Sequence, residues 1–103
     1  MPMMAVGAQG VISVASNVVP REVSEMVQAA LKGDFSRAGQ SHAKLFPLFK
    51  DLFIETNPIP VKRAMKLLGF CEDEVRLPLC PMGTENEKTL IRALKHYGLG
   101  VKA

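Results

Sequence analysis

The stretch Gly10-Val-Ile-Ser-Val-Ala15 decides how the rest of the chain is interpreted. It is short, uncharged and rich in β-branched residues, with small residues on both faces, which is typical of a parallel strand covered on each side. Ser16 and Asn17 then form a polar loop, and Pro20 suits the first turn of a helix. Apolar residues follow at helical spacing until Gly33. The sequence therefore predicts one strand-loop-helix unit in this region.

Three further helices are predicted downstream. Asp34 is expected to cap a long second helix, in which Pro47 predicts either a kink or a division into two shorter helices. Pro60 fits the first turn of a short third helix. Thr84 and Glu87 match the spacing of a capping box, which predicts the start of a fourth helix. The phenylalanines of the second helical region keep its spacing and are predicted to be core residues: Phe35, Phe46, Phe49 and Phe53.

A buried strand needs a neighbour on each side, because its backbone N–H and C=O groups must be hydrogen-bonded. The sequence encodes no second strand. One strand with a Pro-led helix after it is what the last βα unit of a TIM barrel would leave if the first seven units were absent. The predicted fold class is therefore α/β, as a C-terminal fragment of a (β/α)8 barrel. Residues 1–33 are the last βα unit, residues 34–103 are an appended helical subdomain, and the chain itself is mostly α. The alternative is an independent all-α domain in which residues 11–15 join a helix.

Composition narrows the class of protein. Hydrophobic residues make up 48% of the chain and charged residues 22%, which is typical of a globular protein. The net charge of +3 is scattered along the chain, so we expect no nucleic-acid partner. No apolar run approaches the ~18 residues of a membrane span, and no basic residues open a signal peptide. We therefore expect a cytoplasmic protein without a membrane partner. Cys71 and Cys80 lack metal-ligand spacing and are predicted to be reduced thiols.

Two regions resemble a known family. Residues 7–20 resemble the final barrel strand and loop of the dihydrodipicolinate synthase and N-acetylneuraminate lyase superfamily. Asn57-Pro-Ile-Pro-Val-Lys62 and Leu77-Pro-Leu79 resemble the C-terminal helical region of that superfamily, in the form typical of its synthase branch. The first of these two motifs is specific, because its ordered positions occur at a sensible distance after a matching strand-loop-helix unit. The similarity covers nearly the whole chain.

The resemblance implies a barrel whose lysine forms a Schiff base with pyruvate, after which the enamine attacks aspartate 4-semialdehyde on the way to lysine and diaminopimelate. In the family that lysine lies on the sixth strand, and the proton relay lies earlier still. The resemblance thus implies no catalytic residue in this chain. We also expect no cofactor, and the spacing of Cys71 and Cys80 predicts no metal site. The resemblance assigns pyruvate contact to Ile12, the one substrate-binding residue predicted here. The implied partners are the two substrates, the missing N-terminal barrel portion and, in the intact enzyme, further subunits of a homotetramer.

Several interpretations stay open. Lys62 is fixed in the proline-rich motif, and we expect it to cap carbonyls or pair with a carboxylate rather than to form a Schiff base. Ser16 and Asn17 either belong to an active-site face or only close the turn with local hydrogen bonds. His42 is expected to be a partly buried structural residue, and the acidic run at 72–74 a solvated loop. The alternative functions are another pyruvate-dependent aldolase, similar to N-acetylneuraminate lyase, and a non-catalytic helical interaction module.

Overall fold

The computed structural model describes residues 1–102, which are mostly helical. Residues 1–102 contain α1 (Pro2–Ala5), a 3-10 turn (Ala15–Asn17), α2 (Pro20–Leu31), α3 (Phe35–Asp51), α4 (Ile59–Leu67) and α5 (Thr84–Tyr97). The chain divides into two compact units, one comprising Met1–Phe46 and the other starting at Pro47, so that the division falls inside α3. The mostly α content predicted from sequence is confirmed. The predicted domain boundary between residues 33 and 34 refers to an intact barrel and stays a prediction.

The strand predicted at residues 10–15 is wrong for this chain. Residues 8–13 have no regular secondary structure, and Ala15 already belongs to the 3-10 turn. Ile12 is fully exposed, with a relative accessibility of 106%, and Val11 is 61% exposed. A β-strand forms only where a neighbouring strand accepts and donates its backbone hydrogen bonds. Residues 1–102 contain no other segment that could be that neighbour. The all-α alternative also fails at this segment, because residues 11–14 join no helix.

The first unit has its core along one face of α2. Its buried residues recur three and four apart, which is the period of an α-helix, and they are Val23, Met26, Ala29 and Ala30. Val18 and Val19, which follow the 3-10 turn, are buried with them. Pro20 occupies the first turn of α2 as predicted. After α2, Gly33 adopts a φ of +80°, a left-handed conformation that glycine reaches without steric cost.

The second predicted helix forms as a single element, α3. Asp34 caps it as expected: its Oδ1 accepts a hydrogen bond of 3.0 Å from the backbone N–H of Arg37. Pro47 lies inside α3 without dividing it, so two shorter helices are not formed. The buried residues along this region are aliphatic: Ala38, Leu45, Leu48 and Leu52.

The core role predicted for the phenylalanines is wrong for three of them. Phe35, Phe46 and Phe53 are exposed, and only Phe49 is partly buried. Phenylalanines and leucines both recur at helical spacing over residues 45–53, so two apolar stripes run along the end of α3 and the turn that follows it. Periodicity identifies stripes but cannot choose between them when a helix carries two.

The core of the second unit lies where α4 and α5 pack together. Ala64 on α4 and Leu90 and Leu94 on α5 are completely buried. Pro60 falls in the first turn of α4, as the sequence predicts. The fourth predicted helix is also confirmed, and it ends at Gly98, whose φ is +93°. These two helices fix the positions of the charged side chains described below.

Candidate functional site

The loop before α2 carries the residues that sequence analysis placed near a substrate. The Ser16 hydroxyl donates a hydrogen bond of 2.6 Å to the backbone carbonyl of Ser13, and the Ser16 N–H donates one of 3.1 Å to Ser13 Oγ. The Asn17 side-chain amide donates to the carbonyl of Val14 over 3.0 Å. Of the two interpretations left open for Ser16 and Asn17, the structure displays the local one, in which polar side chains close a turn.

Ile12 precedes this turn, and its side chain lies in solvent. A groove of about 280 Å³ runs beside it, lined by the loop and the first turns of α2, and Ser13, Ser16 and Gln28 supply polar groups to its wall. Ile12 does not line this groove. The first unit therefore holds the predicted substrate-contact residue in an accessible position without enclosing a pocket around it.

Lys62 performs the structural task expected of it. Its Nζ donates a hydrogen bond to the backbone carbonyl of Glu74, in the connector between α4 and α5. The expectation that its ammonium caps a carbonyl is confirmed. A lysine that forms a Schiff base needs its amine free of such a bond and its pKa lowered by burial or a neighbouring cation. Lys62 instead ties the proline-rich motif to the connector.

Arg63 and four other charged side chains form a cluster, which we call the Arg63 cluster: Lys66, Glu72, Asp73 and Glu87. Arg63 Nε donates to Glu87 Oε1 over 2.9 Å, and Arg63 Nη1 donates to Asp73 Oδ2 over 3.0 Å. Lys66 Nζ lies 2.8 Å from Asp73 Oδ1 and 2.9 Å from Glu72 Oε2. The cluster joins α4 to the connector and to the first turn of α5. The acidic run lies in a loop with Glu72 and Glu74 exposed, as expected, and Asp73 within it is partly buried and paired with Arg63 and Lys66.

The cluster shifts the pKa values of Arg63, Lys66 and Asp73, each in the direction that favours the charged form. The hydrogen bond from Lys66, with help from Arg63, holds the pKa of Asp73 below its ordinary value of 3.8. The hydrogen bond to Glu87 raises the pKa of Arg63, and bonds to Asp73 and Glu72 raise that of Lys66. At neutral pH all three are therefore charged. The raised pKa of Lys66 is the opposite of what a Schiff-base amine requires.

The start of α5 is capped by a residue that the sequence did not reveal. Gly83 occupies the N-cap position, and Thr84 makes no side-chain capping bond. Glu55 Oε2 instead accepts hydrogen bonds from the Gly83 N–H over 3.0 Å and from the Asn86 amide over 3.2 Å. The predicted capping box is wrong, because Glu87 is engaged by Arg63 and a carboxylate distant in sequence takes the capping position. A carboxylate there also interacts favourably with the positive end of the helix dipole.

Other candidate groups have structural surroundings. His42 is partly buried, its ring centroid lies 5.7 Å from that of Phe46, and burial lowers the pKa of its imidazole. Cys71 and Cys80 are exposed free thiols, as predicted. Between residues 1 and 102, no group of three or more His, Cys, Asp or Glu side chains is arranged to hold a metal ion. No helix in that range is long and apolar enough to cross a membrane.

With this geometry in hand, comparison with known proteins identifies the class. The chain belongs to the dihydrodipicolinate synthetase family, whose family model matches residues 1–97. It is 62% identical over 102 residues to the 4-hydroxy-tetrahydrodipicolinate synthase of Aquifex aeolicus, covering 99% of this chain and 35% of that protein. It is 54% identical over 99 residues to the synthase of Methanocaldococcus jannaschii, covering 96% of this chain and 34% of that protein. The chain thus spans about a third of the length of these curated relatives.

The backbone agrees with solved structures of the same family. The crystal structure of dihydrodipicolinate synthase from Aquifex aeolicus superimposes with a TM-score of 0.96 over 99% of this chain and 35% of that one, at 62% identity. The chloride-inhibited synthase from Acinetobacter baumannii, solved in complex with pyruvate, gives a TM-score of 0.91 at 38% identity, over 95% of this chain and 34% of that one. These helices therefore follow the path of a family enzyme.

Replacing Arg63 tests whether the Arg63 cluster stabilises the second unit. The Arg63→Met variant leaves Glu87 without its partner in the cluster and Asp73 with Lys66 alone, and we expect a loss of about 1–3 kcal/mol in the free energy of unfolding. Urea denaturation followed by far-UV circular dichroism measures it. Lys88→Met is the matched control, because Lys88 pairs with Glu85 at an exposed position and such pairs contribute less than about 1 kcal/mol. Equal losses in the two variants would contradict a special role for Arg63.

Asp73 makes the stability of the second unit sensitive to acid. Since its folded pKa lies below 3.8, the unfolded chain binds the proton more readily as pH falls. The contribution of Asp73 is thus present above about pH 4 and is lost as pH falls through its folded pKa. The Asp73→Asn variant should be less stable than the parent chain at neutral pH and should lose less of its stability on acidification. Urea midpoints measured from neutral pH to about pH 2 decide this, and parallel pH profiles for the two chains would disprove it.

Proposed function

We propose that this chain is the C-terminal part of a (β/α)8-barrel lyase that condenses pyruvate with L-aspartate 4-semialdehyde to 4-hydroxy-tetrahydrodipicolinate in lysine and diaminopimelate biosynthesis. The observation that carries this proposal is 62% identity over 99% of the chain to the 4-hydroxy-tetrahydrodipicolinate synthase of Aquifex aeolicus. The C-terminal placement is supported by the resemblance of residues 7–20 to a last barrel strand and loop. A cytoplasmic homotetramer is the form that the same resemblance implies for the complete enzyme.

We also propose that the chain alone does not catalyse the reaction. It spans only about a third of its relatives, and the resemblance places the Schiff-base lysine in a part of the enzyme that this chain does not match. Two lysines of the second unit offer no substitute: Lys62 is bonded to the Glu74 carbonyl, and Lys66 has a raised pKa. A nucleophilic amine needs the reverse environment.

Ile12 is the proposed contribution of this chain to the pyruvate pocket. Its side chain projects fully into solvent just before a turn that Ser13 and Ser16 hold by hydrogen bonds. An apolar residue in that position is available to line a pocket that other parts of the barrel complete. The pyruvate complex of the Acinetobacter baumannii relative supports pyruvate as the ligand of the site.

A chimeric enzyme tests the proposed function. In it, this chain replaces the corresponding third of the Aquifex aeolicus synthase. We expect the chimera to condense pyruvate with aspartate 4-semialdehyde, and borohydride with pyruvate to trap a covalent adduct on a lysine of the Aquifex portion. The 103-residue chain assayed alone should show neither turnover nor an adduct. A pyruvate adduct on Lys62, or turnover by the isolated chain, would overturn the assignment, as would a folded but inactive chimera.

The same chimera tests Ile12. Ile12→Ala removes apolar contact area and should raise the KM for pyruvate by about tenfold, which corresponds to roughly 1.4 kcal/mol of lost binding. Steady-state kinetics with pyruvate as the varied substrate measures it, and the KM for the aldehyde should change much less. Leu77→Ala, at a residue 91% exposed in the connector, is the control and should leave both constants unchanged. An unchanged KM for pyruvate in Ile12→Ala would remove Ile12 from the pocket.

A further inference from the structure

The carboxyl end of α4 is completed by a residue from much later in the chain. A helix leaves its last four carbonyl groups without partners from its own turns. Three of those of α4, the carbonyls of Ala64, Met65 and Lys66, accept hydrogen bonds from the residues that directly follow the helix. The fourth, that of Leu67, accepts a hydrogen bond of 2.6 Å from the N–H of Lys102. The segment after α5 therefore returns to the end of α4 and caps it.

Gly69 provides the space in which the Lys102 side chain lies. It follows α4 with a φ of +85°, a conformation that glycine reaches without steric cost. A methyl group in place of its hydrogen would lie 2.7 Å from Lys102 Nζ and 3.1 Å from Lys102 Cδ. Both distances are shorter than the ~3.5–4.0 Å of optimal contact between non-bonded atoms. Lys102 thus passes directly over Gly69, and its ammonium lies beside the negative end of the α4 dipole.

The segment that joins α5 to this contact is loosely held. Helix α5 ends at Gly98, whose φ is +93°, and the N–H of Leu99 still bonds to the last turn of that helix. The next two residues, Gly100 and Val101, make no backbone hydrogen bond to any described residue. Gly98 and Gly100 place high conformational freedom on either side of Leu99. Such positions can absorb the change in backbone angles when a segment swings.

We propose that residues 99–102, which we call the strap, open and close over Gly69 and cap the end of α4 only in the closed form. One backbone hydrogen bond, the Lys102 side chain and a half-buried Val101 hold the closed form. A contact of that size opens more readily than α4 and α5, whose buried residues pack together. Opening uncovers the Leu67 carbonyl and frees the end of α5 from that of α4. These contacts lie within the second unit, so the inference does not rest on the proposed function.

Exchange of amide protons with water, measured by NMR residue by residue, tests the strap. In the parent chain the Lys102 N–H should exchange roughly fivefold more slowly than in the unfolded chain, as expected for a contact of about one hydrogen bond. Gly69→Ala should remove most of that protection, because the added methyl meets the Lys102 side chain. Gly33→Ala is the matched control, since Gly33 also follows a helix with a φ of +80° but a methyl there meets no atom within 4 Å. It imposes similar backbone strain and should leave exchange at Lys102 unchanged.

A second substitution separates the steric effect from backbone strain at Gly69 itself. Lys102→Ala keeps the backbone N–H and removes the side-chain atoms that the methyl would meet. The double variant Gly69→Ala with Lys102→Ala should therefore be better protected at position 102 than Gly69→Ala alone, each N–H being compared with its own unfolded reference. The Leu94 N–H, inside α5, should stay protected in every variant, which shows that the second unit is folded.

The same exchange measurements can overturn the proposal. A Lys102 N–H that is unprotected in the parent would mean that the strap does not close, and one as protected as that of Leu94 would mean that it does not open by itself. Unchanged exchange in Gly69→Ala, or equal acceleration in Gly33→Ala, would remove Gly69 as the place where the strap closes. A double variant that exchanges as fast as Gly69→Ala alone would attribute the effect to backbone strain.

Discussion

The need of every backbone N–H and C=O group for a hydrogen-bond partner governs this chain more than any single contact. Helices satisfy that need from their own sequence, so the regions with helical periodicity form helices. The stretch at residues 10–15, whose pattern favours a strand, depends on partners that residues 1–102 do not contain. The segment consequently forms no strand and keeps Ile12 in solvent. The same constraint explains why a strand was predicted at residues 10–15 and why it does not form in this chain. It also explains why the site proposed for Ile12 depends on the rest of a barrel.

Charged side chains perform structural tasks in the second unit. Glu55 caps α5, Lys62 caps a carbonyl of the connector, and Arg63 holds the connector and α5 against α4. Each bond satisfies a group that helix ends or loops leave open. The motif Asn57-Pro-Ile-Pro-Val-Lys62 carries part of the family resemblance. Through Lys62 it is hydrogen-bonded to the connector between α4 and α5. Its physical role can be stated without reference to catalysis.

Local signals predicted the helices well, and contacts between distant residues escaped prediction. Asp34 and Pro60 act within a turn of their own positions, so their roles at helix starts could be inferred from sequence spacing. Thr84 and Glu87 had the correct spacing for a capping box, but Arg63, distant in sequence, competes for Glu87. The phenylalanines of α3 share their period with the leucines, and only tertiary packing decides which stripe is buried. For Ile12, the resemblance supplied a role that the isolated chain cannot display.

The capping of α5 by Glu55 has a consequence for the order in which this chain acquires structure. A peptide with the sequence of α5 alone would lack that carboxylate at its first turn, and short isolated helices are marginal in water. The first turn of α5 therefore gains this stabilising hydrogen bond only when the chain between Glu55 and Gly83 closes into a loop. Because Glu55 precedes α4 and Gly83 follows it, the same closure brings the start of the segment that contains α4 next to the start of α5.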